Sequence, residues 1–288
     1  CGRSMASPTW SKVAGFVDHW VHPENPVSPG SKVGDVPDEP RQWCAYEFAD
    51  LMEQGLTRGI ASSFIAPPQD PSSEERFCVE RSPDHKEYLL TRPDGEKLLL
   101  ARANNNGGGF SIFVARDGQP PSAFGPAFLL TPNNAEDRWT LHCETCDVCE
   151  ARGRRKCGRR ELAYITHFTE SVGEGKICCM DLQVPEMHED GSSASWCSVC
   201  SSVTGREDNG FTTLTTRRPK WNSRRKSLSL DFFGRCSIAS AKNFQLQFAD
   251  NPNKVKLLFG KVAAHSFVLD FKRPLGIVQA FAAAVSTS

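Results

Sequence analysis

The sequence predicts a mainly β (α+β) fold, a closed antiparallel β-barrel around a central hydrophobic C-terminal helix. Three observations predict it. Apolar and polar residues alternate with period two through many short segments, which marks antiparallel sheet with a buried face. No regular strand–helix–strand alternation occurs, which argues against a parallel α/β fold. The last segment, "PLGIVQAFAAAVSTS", has only Gln279 as a hydrogen-bonding side chain between Leu275 and Val285. A helix without a polar face must be enclosed on all sides. A closed barrel encloses it and leaves no strand edge exposed.

Residues 1–61 read as a leader. "WSKVAGFVDHW" puts Trp10, Val13, Val17 and Trp20 at helical spacing, a Pro/Gly-rich linker follows, and residues 42–56 suit a second short helix. The barrel domain is expected over 62–288. Its strands begin at "RFCVE". "EYLLTRPDGEKLLLA" reads as a hairpin turning at Pro93-Asp94-Gly95. "GFSIFVARDG", "LAYITHF" and "KICCMDLQV" continue the series. "SLSLDFFG" puts Leu228, Leu230 and Phe232 on one face. "NFQLQF" sets Phe244, Leu246 and Phe248 against Gln245 and Gln247, so the two glutamines are expected on the solvent side. "KVKLLFG" and "SFVLDF" follow. The closing helix would be about 14 residues, or ~21 Å, too short to span a bilayer.

The 34 basic and 34 acidic residues cancel. That argues against broad, sequence-blind nucleic-acid binding and against a DNA-associated role. Twelve cysteines in a chain with a substantial core point to a reducing compartment, with reduced or metal-bound thiols. "CETCDVC" and "CSVC" lie in apparent insertions near 143–160 and 190–210. They offer Cys143, Cys146, Cys197 and Cys200 as a tetrahedral thiolate set for structural zinc, with Cys149 and Cys157 as an alternative pair. Zinc there would brace two long loops. No GxSxG, P-loop or HExxH pattern is present, and "NNNGGG" reads as a flexible hairpin loop, so no enzymatic activity is expected.

The C-terminal third resembles a known family. Pro219-x-Trp221-Asn222, Phe233-Gly234-Arg235, Ser240-Ala241-Lys242-Asn243-Phe244-Gln245, Phe259-Gly260-Lys261 and Pro274-Leu275 leading to Gln279-Ala280-Phe281-Ala282 match the tubby-like C-terminal domain in order and spacing. The resemblance implies a barrel of about twelve strands around the helix. It also implies a non-enzymatic, membrane-tethered adaptor that binds phosphatidylinositol 4,5-bisphosphate or another anionic lipid through surface Lys and Arg. Trafficking or membrane-receptor proteins would be the cargo. The expected state is a monomer, cytoplasmic and peripheral at the membrane, with cilium or nucleus as destinations.

The family's basic cluster follows the strand that here reads "KLLLA". This chain continues "RANNNGGGF", so Arg102 remains of that site, with Lys97 nearby. A second run, "RRPKWNSRRK", supplies Arg217, Arg218, Lys220, Arg224 and Arg225. Together these seven residues are the lipid-binding expectation, because a multiply phosphorylated headgroup needs several converging cations. The alternative is a protein-interaction module of the same fold with the lipid site lost and a zinc-braced loop surface.

Overall fold

The computed structural model describes residues 62–105, 108–115, 125–143, 160–188, 196–197, 210–224, 226–252 and 254–287. The two N-terminal helices expected near 10–20 and 42–56 lie outside these residues. So do Cys146, Cys149, Cys157, Cys200 and Arg225, along with most of both cysteine-bearing insertions.

Among the described residues the strands are β1 (Glu74–Arg81), β2 (Glu87–Thr91), β3 (Lys97–Ala103), β4 (Phe110–Val114), β5 (Phe128–Pro132), β6 (Arg138–Cys143), β7 (Arg160–Val172), β8 (Gly175–Pro185), β9 (Phe211–Thr216), β10 (Lys220–Asn222), β11 (Ser227–Ser229), β12 (Phe244–Phe248), β13 (Val255–Lys261) and β14 (Ser266–Lys272). Twelve form a closed antiparallel barrel, in the order β1-β14-β13-β12-β9-β8-β7-β6-β5-β4-β3-β2. The β1–β14 ladder closes it, from Glu74 opposite Lys272 to Glu80 opposite Ser266. β10 and β11 make a separate two-stranded ribbon. The hairpin at Pro93-Asp94-Gly95 forms as expected. Gly95 donates its N–H to Arg92 O and adopts φ +95°.

The C-terminal helix spans Ile277–Val285, nine residues rather than about 14. It is shorter because Gly276 is extended and caps it, while Ser286 and Thr287 turn back, their hydroxyls donating to Ala283 O and Ala284 O. Every residue from Val278 to Val285 is buried. The bulk around it comes from the wall: Phe77, Phe128, Phe244, Phe259, Phe267 and Phe271 are almost fully enclosed, and several stack on one another. Small helix residues therefore meet large strand residues, which is how a crowded interior fills without voids. Gln279 is buried and hydrogen-bonded, as its position requires. Its Oε1 accepts from the Gly276 N–H at 2.8 Å, and its Nε2 donates to Leu162 O on β7 at 2.9 Å. Gly276 is needed for space. A Cβ there would sit 2.2 Å from Ile65 O.

Three local expectations change. Gln245 and Gln247 are buried, not solvent-facing. The segment 230–243 lies over the outside of β12–β14, where Leu230, Phe232 and Cys236 pack on Leu258 and Val268. Gln245 is answered under this cover, donating to Asp231 O at 2.6 Å. Asn243 pins the cover, donating to Ile238 O and accepting the Lys261 N–H. Next, Leu228, Leu230 and Phe232 do not form one barrel face. Leu228 packs with Ile177 and Cys179 beneath the β10–β11 ribbon, while the other two join the outer cover. Third, the described ends of the "NNNGGG" stretch are tied down. Asn104 donates its N–H to Gly109 O and accepts from the Ser111 hydroxyl. Gly109 sits at φ +86°, and a Cβ there would meet Leu130 O at 2.4 Å, so only glycine fits.

Candidate functional site

The barrel interior is filled by the helix, so the surface has to carry function. The expected cations do not form one patch. Lys97 and Arg102 occupy opposite ends of β3, roughly 17 Å apart at the strand rise. Arg102 is engaged already. Its Nε donates to Glu87 Oε1 at 2.8 Å, and its guanidinium lies 5.9 Å from the Phe113 ring centre.

The second run is divided by its geometry. Arg218 makes a two-pronged contact with Glu170, both bonds 2.8 Å, and also donates to Thr216 O. These bonds hold the Glu170 carboxyl below the usual range. Lys220 and Arg224 stand exposed on the β10–β11 ribbon. Arg217 turns the other way. It donates to Gln245 Oε1 at 3.2 Å and lines an open groove of about 720 Å3.

That groove runs over the lower ends of β1, β14 and β13. Its lining includes Arg76, Arg217, Arg235, Lys254, Lys256 and Lys272, against the two carboxylates Glu74 and Asp270. Among the described residues, four positive charges are therefore in excess. Register explains the convergence. Lys254, just ahead of β13, and Lys256, within it, both line the groove. Leu257 lies opposite Phe271, so Lys256 and Lys272 fall on the next rung, and Lys272 lies opposite Glu74 on the other side.

The two carboxylates are spent locally. Asp270, nearly buried, accepts two bonds from Arg235, at 2.6 and 2.7 Å. Glu74 is shared by Arg76 at 2.8 Å and Lys272 at 3.5 Å. Burial pushes the Glu74 carboxyl up, but the Arg76 hydrogen bond and the Lys272 and Arg76 charges outweigh it and hold it low. Lys256 has the opposite surroundings. Burial, then the charges of Lys254 and Lys272, push its ammonium down. It lies 4.7 Å from the Phe248 ring centre. Like charges that repel one another across neighbouring strands are a cost that an incoming anion would remove.

Sequence reading missed Arg76, Arg235, Lys254, Lys256 and Lys272. They come from four separate segments. The one local signal was the Lys-x-Lys spacing in "NKVKLLFG".

Of the four cysteines expected to hold zinc, Cys143 and Cys197 lie among the described residues. Cys143 ends β6, and its thiol donates to Arg160 O at 3.9 Å. Cys197 follows Trp196, whose backbone bridges Glu161, the residue after Arg160. The topology thus brings both buried cysteines to one end of β6–β7. Cys146 and Cys200 lie outside the described residues.

A sequence profile described as the Tub family matches residues 127–288, which hold β5–β14 and the helix. The chain is 32% identical over 212 residues to Tubby-related protein 3 of Homo sapiens, covering 69% of this chain and 48% of that protein. It is 27% identical over 245 residues to Tubby-related protein 3 of Mus musculus, covering 82% and 49%. Over 74 residues it is 46% identical to Tubby-related protein 1 of Homo sapiens, covering 26% and 14%. The chain spans about half the length of the first two relatives.

Proposed function

Because the chain belongs to the Tub family, we propose that it is a non-enzymatic adaptor that docks on anionic, phosphoinositide-bearing membrane through the outside of its barrel. The observation that supports this most is the groove, where four positive charges are in excess among the described residues. Each basic residue near an anionic leaflet contributes about 1 kcal/mol. Several are needed for stable peripheral attachment, and the groove supplies them in one place. Arg217 is the residue that the sequence expectation and the groove share. In this reading Arg102 and Arg218 keep their carboxylate partners and contribute little. The protein would sit at the cytoplasmic surface of the membrane, with trafficking or membrane-receptor proteins as its cargo.

The test is sedimentation with phosphatidylcholine vesicles, with and without phosphatidylinositol 4,5-bisphosphate. Binding is expected only to the charged vesicles, and it should weaken steadily as salt shortens the screening length. A protein that stays in the supernatant at low salt removes this reading.

A second reading, a protein-docking surface braced by zinc, is favoured by the placement of Cys143 and Cys197 at one end of β6–β7. Both are thiols of the type that zinc takes, and their burial suits a closed structural site. Metal analysis of the purified protein should then find about one zinc per chain, lost in Cys197→Ser. A folded protein that carries no metal ends it.

A further inference from the structure

We propose that Phe233 is a membrane anchor, a ring that enters the headgroup and upper acyl region of the bilayer on which the groove docks. The inference rests on the docking reading and adds to it how the barrel is oriented and what holds it there.

Phe232 and Phe233 are adjacent and have opposite fates. Phe232 is buried in the cover over β13 and β14, while Phe233 is 60% exposed. An exposed phenylalanine alone needs no explanation. This one also sits at φ +54°, a conformation that a bulky side chain rarely adopts. The turn is fixed on both sides. Asp231 Oδ1 accepts the Phe233 N–H at 2.7 Å, and the Arg235 N–H donates to Phe232 O at 2.9 Å. Arg235 is then clamped to Asp270. The backbone strain is therefore held by its surroundings and presents the ring outward.

The ring stands on the wall of the cationic groove, with Arg217, Lys254 and Lys256 among its neighbours in the lining. An occupant must offer anionic groups and an apolar phase within one side chain's reach. An anionic bilayer surface does so: phosphates meet the lysines and the acyl boundary takes the ring. Phenylalanine is among the side chains that interfacial helices bury at this boundary.

The experiment uses the full chain with phosphatidylcholine vesicles containing phosphatidylinositol 4,5-bisphosphate. Phe233→Ser is expected to weaken vesicle binding about tenfold, with an unchanged melting temperature, because what is removed is the burial of one aromatic ring. Phe233→Trp is expected to retain binding. Its emission should be quenched by acyl-chain-brominated lipid beyond the quenching seen with the wild-type protein. If Phe233→Ser binds as the wild type does, or the new tryptophan shows no added quenching on bound vesicles, the anchor is wrong while docking stands. If the wild-type protein binds no vesicles, docking and anchor fall together.

Discussion

Phe281→Ala is expected to cost about 3–5 kcal/mol of folding stability, the largest effect of any single substitution proposed for this chain. Phe281 is fully enclosed, and it is the one aromatic residue of a helix whose other side chains, Gln279 apart, are small or aliphatic. Truncation leaves a hole at the centre of the barrel, where a closed hydrogen-bonded wall cannot collapse inward. A domain of this size loses roughly 2–4 °C per kcal/mol, so the melting temperature should fall by about 6–20 °C. Since natural domains have only about 5–15 kcal/mol in hand, the variant should lie near the limit of folding. Phe211→Ala is the control: that ring is 56% exposed and should cost no more than about 0.5 kcal/mol. Equal losses in the two variants, read by thermal denaturation, would mean that the helix is not enclosed as described.

The joint replacement of Lys254, Lys256 and Lys272 by Gln should weaken binding to anionic vesicles roughly a hundredfold, at about 1 kcal/mol for each charge. Stability should move little. Lys256 is pushed down by burial and by its two neighbours, so neutralisation relieves repulsion. Against that relief stand two weak interactions. The ion pair of Lys272 with Glu74 is half-exposed and 3.5 Å long, and is worth little. The Lys256 ammonium over the Phe248 ring adds about 0.5–1 kcal/mol. Weaker binding with nearly unchanged stability separates a docking role from a packing role. Lys97→Gln with Arg218→Gln is the comparison, one residue lying on β3 and the other held by Glu170. If that pair loses more affinity than the triple variant, the groove is not the docking surface.

Most of the architecture was legible because its signals are local. The turn at Pro93-Asp94-Gly95, the short apolar runs of β13 and β14 and the tail with Gln279 as its single polar side chain between Leu275 and Val285 each follow from a few consecutive residues, and a helix with no polar face admits few surroundings. The buried Gln245 and Gln247 escaped this logic. Alternation says which face a residue takes, not whether a distant segment covers that face, and the 230–243 cover comes from outside the strand. The candidate site escaped for a related reason. Runs of charge in the sequence, such as "RRPKWNSRRK", were scattered by the fold, with Arg217 and Arg218 sent to opposite sides. The groove was assembled instead from cations isolated along the chain, and only strand register brings Arg76, Lys256 and Lys272 together. The Lys-x-Lys that leads into β13 showed two cations close in sequence, but not what lay beside them.

Closure between the first strand and the last has a consequence for how the molecule comes into being. Glu80 and Ser266, joined across the seam, are 186 positions apart in sequence. The plug that fills the interior is made after both. A chain emerging from the ribosome therefore holds an open, sticky sheet until the helix itself has been synthesised. Non-local pairing of this kind folds slowly and exposes apolar surface meanwhile. A stop codon just ahead of β14 would remove seam and plug at once, so it should be as damaging as one in the middle of the barrel.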